Sequence, residues 1–362
     1  MKMKKIICSL MISVLCFMTA ISGVSAATSY DTSKINAVYS KVVEYYKNNN
    51  NLNNADKILA VESLGLEAES NQFDTSSADL SSTSLSKKIV TEVLLGVDPT
   101  EDKKTLESQI DENGNVEGSW GASSDVWTLY ALYVTSSEKA NLIANKLNDE
   151  LAASSVCGYE WGGTYYADYD TTGWVIEGLA VVNKEKYATT INKAIDYIKN
   201  NTTMTTTGWV TADNVDTQSQ VLEGMFAYDT NSLLNDRYTI HPIDCLLNTQ
   251  LSDGSFPSGY NAEYTTAEVA KTLGTYKNGS VFEKAKKAYD KMMNPEQPDN
   301  TKPAQPTDTK KDSQSTNKVE TTNQKTTSVK TGDETNVVIF VSLSMVSGGL
   351  FLVLRKEYER VH

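Results

Sequence analysis

Between residues 28 and 293 apolar side chains recur every three to four positions, interrupted at regular intervals by short runs rich in Gly, Asp, Asn and Thr. That period marks amphipathic helices, and the interruptions mark their ends. Helices are predicted near 35–47, 55–64, 85–95 and 101–110, the last restarting beyond Val97-Asp98-Pro99. Further along, the pattern repeats itself. Asp170-Thr171-Thr172-Gly173-Trp174-Val175-Ile176-Glu177-Gly178-Leu179 matches Asp216-Thr217-Gln218-Ser219-Gln220-Val221-Leu222-Glu223-Gly224-Met225 at an offset of 46. The segment 264–273 follows 48 residues later, and 125–132 fits at 47 residues upstream. Each copy is preceded by a Gly–aromatic turn: Gly118-Ser119-Trp120, Gly163-Thr164-Tyr165, Gly208-Trp209 and Gly254-Ser255-Phe256. Each is followed by a second apolar stretch, for example Ile191, Ala194, Ile195 and Ile198.

Four copies of a unit near 47 residues imply stacked helical hairpins, since one hairpin alone cannot bury its apolar face. The Asp or Thr at the head of each first helix is expected to act as an N-cap. With the four earlier helices the count comes to about twelve, or six pairs. The expected class is all-α, arranged as an open solenoid or a closed ring.

The two ends read differently. Lys2, Lys4 and Lys5, the apolar stretch 6–18 and Val24-Ser25-Ala26 form a secretory leader at 1–26, with cleavage expected between Ala26 and Ala27. This leaves a folded domain at 27–293. Residues 294–333 are dominated by Ser, Thr, Asn, Gln, Lys and Asp and are read as a disordered stalk, on the order of 100 Å long when extended. Residues 334–362 hold an uncharged run, 337–354, followed by Arg355 and Lys356. The run is long enough to cross a membrane, and the basic tail would keep its end inside.

The segment Ser328-Val329-Lys330-Thr331-Gly332-Asp333, with the apolar span and basic tail behind it, resembles the cell-wall sorting signals of Gram-positive bacteria. Lys330-Thr331-Gly332 match the last three positions of Leu-Pro-x-Thr-Gly, and Ser328-Val329 replace Leu-Pro. The resemblance implies cleavage by sortase between Thr331 and Gly332 and attachment to peptidoglycan. The departure leaves a retained single-pass membrane anchor as the other outcome. Either way the secretion machinery is an expected partner and the domain lies outside the cell.

A second resemblance lies in the folded part. Gln250-Leu251-Ser252-Asp253-Gly254-Ser255-Phe256 resembles the Gln-x-x-x-Gly-x-Trp repeat of the terpenoid-cyclase and protein-prenyltransferase superfamily. Asp168-Tyr169-Asp170-Thr171-Thr172 and the segment 95–100 are similar to its bacterial surface members. The resemblance spans roughly residues 80–290 and implies an α/α toroid of six inner and six outer helices. On that fold the Asp-headed helices would be the inner ones, and the Gly–aromatic turns would rim one mouth of the cavity.

Charge and composition narrow the chemistry. Lys and Arg number 33 against 46 Asp and Glu, a formal net charge of −13, which argues against a nucleic-acid partner. Two His make a His-rich metal site or a Ser-His-Asp triad an unpromising reading. No cofactor and no metal are expected. His241, Asp244 and Cys245 offer the residue types of a prenyltransferase zinc site, but their tight spacing does not match that family's ligands. Cobalamin carriers share the toroid yet use a second, β-rich domain that this sequence replaces with the stalk. Cys157 and Cys245 are left open as a disulfide pair.

The catalytic candidates are Asp168 and Asp170, similar to the acid motif of class II terpene cyclases but with Thr171 in place of its third acid, and Glu177 and Glu223. The last two hold equivalent repeat positions, and neighbouring lumenal carboxylates are what a glycosidase needs. Lys271, in the next copy, is placed to neutralise one. The five Trp and nineteen Tyr crowd the turns. Trp120, Trp161, Tyr165, Tyr166, Trp209, Phe256 and Tyr260 are the candidate ligand-binding residues, since flat faces and hydroxyls suit a glycan or peptide. The leading expectation is a surface-displayed, non-catalytic binding module. The alternative is an extracellular enzyme, glycan-active or terpene-cyclase-like, with carboxylates in the cavity.

Overall fold

The computed structural model describes residues 30–69, 81–201, 215–236, 238, 240–259 and 261–295, with the side chains of Glu160 and Trp161 excepted. The predicted leader with Ala26 and Ala27, nearly all of the stalk, Thr331 and Gly332, the apolar span, and Trp209 and Tyr260 lie outside the described residues.

The described chain is mostly helical. Its elements are α1 (Thr32–Asn48), α2 (Ala55–Ser63), α3 (Ser82–Leu94), α4 (Thr100–Ser108), α5 (Ala122–Val134), α6 (Ala140–Ser154), β1 (Gly158–Trp161), β2 (Thr164–Ala167), α7 (Tyr169–Asn201), α8 (Val215–Asn235), α9 (Pro242–Leu247), α10 (Ala262–Asn278) and α11 (Val281–Met293). The four predicted amino-terminal helices are α1 to α4. Two long helices break and restart: α7 at Asn183 and α8 at Asp229, 46 residues apart, each with non-helical backbone angles. At both breaks the side chain caps the new helix, Lys186 N–H donating to Asn183 and Ser232 N–H to Asp229. The repeat unit is thus a hairpin with a capped corner.

Burial separates the two helices of each unit. In α5 nearly every residue is buried, polar Ser124, Asp125 and Thr128 included, and the first parts of α7, α8 and α10 are alike. A helix covered on all sides must lie between other elements. In α6 only Ala140, Ile143, Ala144, Leu147 and Leu151 are buried, the three-to-four spacing of a helix with one wet face.

The buried helices pack in succession: α2 on α3, α3 on α5, α5 on α7, α7 on α8, α8 on α10, and α10 back on α2. The close approaches need small residues. A Cβ on Gly173 would sit 2.4 Å from the Gln220 carbonyl oxygen, and one on Gly224 2.3 Å from that of Gly173. Where α10 meets α2, a Cβ on Gly274 would come within 2.6 Å of Ser63. At that same contact Asn278 donates to the Ser63 carbonyl at 2.8 Å. The first and last parts of the domain are also tied by Gln250, whose amide donates to the carbonyls of Val38 and of Gly254, so the Gln of the repeat motif holds its own turn against α1.

Helix α11 departs from the hairpin scheme. It packs against α2, α3 and α5, with Lys284 bound to Glu62 at the end of α2 and Lys286 to Ser136 just past α5. Phe282 stacks on Tyr130 at 3.6 Å, and Ser280 donates to Glu177 at 2.7 Å. This helix therefore covers the interior between the buried helices rather than extending their outer layer.

Candidate functional site

Tyr130, Glu177, Glu223 and Lys271 occupy one repeat position, and the fold brings them together. The Tyr130 hydroxyl donates to Glu177 Oε2 at 3.3 Å. Lys271 Nζ lies 3.8 Å from Glu223 Oε2 and 3.1 Å from Glu268 Oε2, one helical turn away on its own helix. The next layer toward the helix heads is Trp127, Trp174, Gln220 and Glu268. Here Trp127 packs edge-on to Trp174, Gln220 donates to Glu268 at 3.1 Å, and Lys271 lies over the Trp127 ring. Lys87, paired with Asp56, approaches the same ring at 4.4 Å.

All of Glu177, Glu223, Glu268 and Lys271 are buried. Acids outnumber bases, and burial disfavours their charge. Glu177 is pushed up to about 7 by burial, against the pull of Ser280, Lys271 and Tyr130. Burial likewise lifts Glu223 well above the carboxylate range despite Lys271. Burial works against the charge on Lys271, but Glu223 and Glu268 outweigh it and hold the ammonium above its ordinary value. Glu223 Oε2, Glu268 Oε1 and Gln220 Oε1 accept no hydrogen bond. The predicted Glu177–Glu223 pair is therefore real as a neighbourhood, but its carboxylates are sealed inside the domain with a lysine beside them.

This arrangement makes stability depend on pH. Between about 4.5 and about 7 the folded chain holds more proton on Glu177 than the unfolded chain does. Stability should accordingly fall as pH rises through that window. Glu177→Gln should flatten the slope, which urea unfolding across the window would measure. Equal slopes in the two proteins would refute the assignment.

The heads of the buried helices correct the capping expectation. Asp168, half-buried, is the cap of α7: the Thr171 amide and hydroxyl both bond its carboxylate, at 3.2 and 2.5 Å. Asp170 and Asp216 fall inside the first turn instead. Thr217 of the next helix bonds Asp170, and Thr265 bonds Asp216 in the same way, so each Asp-Thr pair links neighbouring repeats. Burial raises both, Asp216 to about 6 and Asp170 well above its ordinary value, with Asp168 adding to the effect at Asp170. In α10 the cap is Asn261, which receives the Tyr264 amide.

The aromatic candidates divide. Phe256 is fully buried, its amide held by Thr266, and is core rather than a binding residue. The side chain of Trp161, like Trp209 and Tyr260, lies outside what is described. Trp120, Tyr165 and Tyr166 are 48%, 47% and 43% exposed. Tyr165 and Tyr166 lie on an antiparallel ribbon that the repeat pattern had assigned to a turn, and Trp120 precedes Gly121, which bridges to it. Tyr159 pairs with Tyr166 and Glu160 with Tyr165, Gly162 and Gly163 take positive φ at the two-residue turn, and Gly121 bridges to Tyr159. The signal for it was in the sequence: Gly-Tyr-Glu-Trp and Thr-Tyr-Tyr-Ala flanking Gly-Gly.

The remaining candidates are structural. His241 caps α9, receiving the Ile243 amide, while Asp244 takes Tyr30 and Lys34. Cys157 and Cys245 are both buried and no disulfide joins them. Among the described residues no group of three or more His, Cys, Asp and Glu is placed to hold a metal ion, and no helix is long and apolar enough to cross a membrane. A groove of about 170 Å³ between α7 and α8, lined by Asp196, Lys199, Tyr228 and Tyr238 among others, contains none of the predicted residues. No family model matches the chain, and neither the curated proteins nor the solved structures contain a match to it.

Proposed function

We propose that this chain is a cell-surface binding module: an α/α toroid carried on a stalk, with a wall or membrane anchor behind it. The toroid reading is supported by the succession of buried helices that returns from α10 to α2, with α1, α4 and α6 packed outside it. Its mouth on the side of the helix heads is where the described Gly–aromatic turns lie, at 118–120, 163–165 and 254–256. Its other end is the side that α11 covers. The surface reading rests on the leader-like, stalk-like and sorting-like segments of the sequence.

One observation carries the choice of binding over catalysis. The carboxylates that an enzyme would use, Glu177 and Glu223, are shut in with Lys271, whereas the large aromatics Tyr166, on the ribbon, and Trp120, beside it, stand exposed. An acid–base pair needs substrate within hydrogen-bond reach, and among the described residues the groups within that reach are Tyr130, Ser280 and Thr275, with the Lys271 ammonium just beyond it. An exposed aromatic cluster on a rigid scaffold is the usual makeup of a recognition surface.

The purified full-length chain, screened against glycan and peptide arrays, should bind selectively, and Trp120→Ala should weaken that binding without lowering the melting temperature. Glu177→Gln should leave it intact. Absence of binding on both arrays, together with glycan turnover lost in Glu177→Gln, would replace this reading with the enzymatic one.

A further inference from the structure

Resting on that reading, we propose that the ligand is a neutral oligosaccharide that stacks on the Tyr159–Tyr166 face of the ribbon. In an antiparallel pair, directly opposed residues share a face and the next pair lies on the other. Tyr159 and Tyr166 are directly opposed, and their rings stack at 5.4 Å with 18° between planes. Tyr165 belongs to the opposite face, where its hydroxyl bonds Glu150 and the Val156 carbonyl and so ties the ribbon to α6 and its following turn. One face thus holds the ribbon down and the other presents a near-planar aromatic stack. Gly121, bridged to Tyr159, brings the exposed Trp120 alongside.

Charge selects the ligand class. Neither 111–138 nor 155–183 contains a Lys or Arg, so an anionic polymer finds no cation on the turn or the ribbon. A cationic ligand finds exposed acids on the turn ahead of Trp120, at Glu112 and Glu117, but the described carboxylates around the ribbon itself are already engaged. Asp125 is buried against Lys146 and Ser119, Glu150 accepts from Tyr165, and Asp168 is held by Thr171. What remains on the Tyr159–Tyr166 face is flat ring surface, phenolic hydroxyls and turn backbone. Those groups suit a molecule with an apolar face and many hydroxyls and no charge, which describes a neutral sugar chain.

The test is a set of titrations on the full-length chain. The probes are cellohexaose, xylohexaose and chitohexaose as neutral chains, a heparin-derived hexasaccharide as the anionic one, and a Lys-rich peptide as the cationic one. At least one neutral chain should bind, and the heparin fragment and the basic peptide should not. Tyr159→Ala and Tyr166→Ala should each weaken that binding about tenfold or more. Tyr166→Phe, which keeps the stack, should weaken it less, and Tyr165→Ala should leave it nearly unchanged. Thermal melts guard against misfolding, and Tyr166→Phe keeps the test decisive should an alanine variant unfold. Neutral-sugar binding undiminished in Tyr166→Ala would overturn the proposal. So would binding confined to the anionic fragment, the basic peptide or an arrayed peptide, which would leave the binding-module reading standing. A chain that binds none of the probes and nothing on either array would remove both.

Discussion

Lys271→Met should cost about 3–5 kcal/mol of folding stability at neutral pH, the range for removing one partner of a buried ion pair. The side chain is buried beneath Trp127, with Glu268 at 3.1 Å and Glu223 at 3.8 Å. Methionine fills a similar volume, so the loss is electrostatic rather than a cavity. Without the ammonium, two carboxylates that already have unbonded oxygens face each other and Glu177 in a dry interior. Protonation of Glu223, which burial already favours, relieves the repulsion, so the cost should shrink as pH falls. Lys271→Met combined with Glu268→Gln should recover a large part of it, a coupling that a double-mutant cycle reads directly. Urea unfolding of the four proteins at neutral and mildly acidic pH checks both points. A loss below about 1 kcal/mol at neutral pH would mean that the lysine is not the charge balancing this interior.

That lysine also marks how far the sequence could be read. The 46-to-48-residue repeat placed Tyr130, Glu177, Glu223 and Lys271 in register, and packing does bring them together. Helices α1 to α4 followed from apolar spacing and the Pro99 break, since one-sided burial writes itself into the period. Other features did not follow, for identifiable reasons. Asp168 rather than Asp170 caps α7 because the helix begins where the ribbon ends, and the repeat alignment carried no information about an inserted ribbon. Phe256 is core, although it aligns with exposed Trp120 and Tyr165, because its turn packs against α1: a Cβ on Gly254 would lie 2.5 Å from the Lys41 carbonyl. Which turn meets a neighbour is a tertiary fact. The pattern of α11 shows one apolar face, Val281, Phe282, Ala285 and Tyr289, but nothing local tells that face to cover Tyr130 instead of joining the outer layer.

The same limit applies to glycine, whose role appears only with its neighbour, and it yields the second large effect. Gly224→Val should destabilise the domain by about 3 kcal/mol or more, the upper end of what overpacking costs. A Cβ there would sit 2.3 Å from the Gly173 carbonyl oxygen and 3.2 Å from Ile176 Cβ, so backbone on the facing helix obstructs it and no rotamer change relieves the clash. Helix propensity runs the other way: replacing glycine by alanine in a helix interior favours the helix by about 1 kcal/mol. A net loss even in Gly224→Ala would therefore isolate the contact between α7 and α8. Gly178 is the internal control. A Cβ at that position would meet side-chain atoms instead, Leu129 Cδ2 at 3.1 Å and Val126 Cγ2 at 3.3 Å, which can shift. Gly178→Ala should thus cost clearly less than Gly224→Ala. If α8 is pushed from α7 it also strains its bonds to α10, where Thr272 reaches the Ser219 carbonyl at 2.9 Å and Gln220 reaches Glu268. The valine variant should for that reason loosen the lysine site as well, and its destabilisation should add less than fully to that of Lys271→Met. Strict additivity of the two in denaturant unfolding would show that the glycine contact and the buried charges are independent.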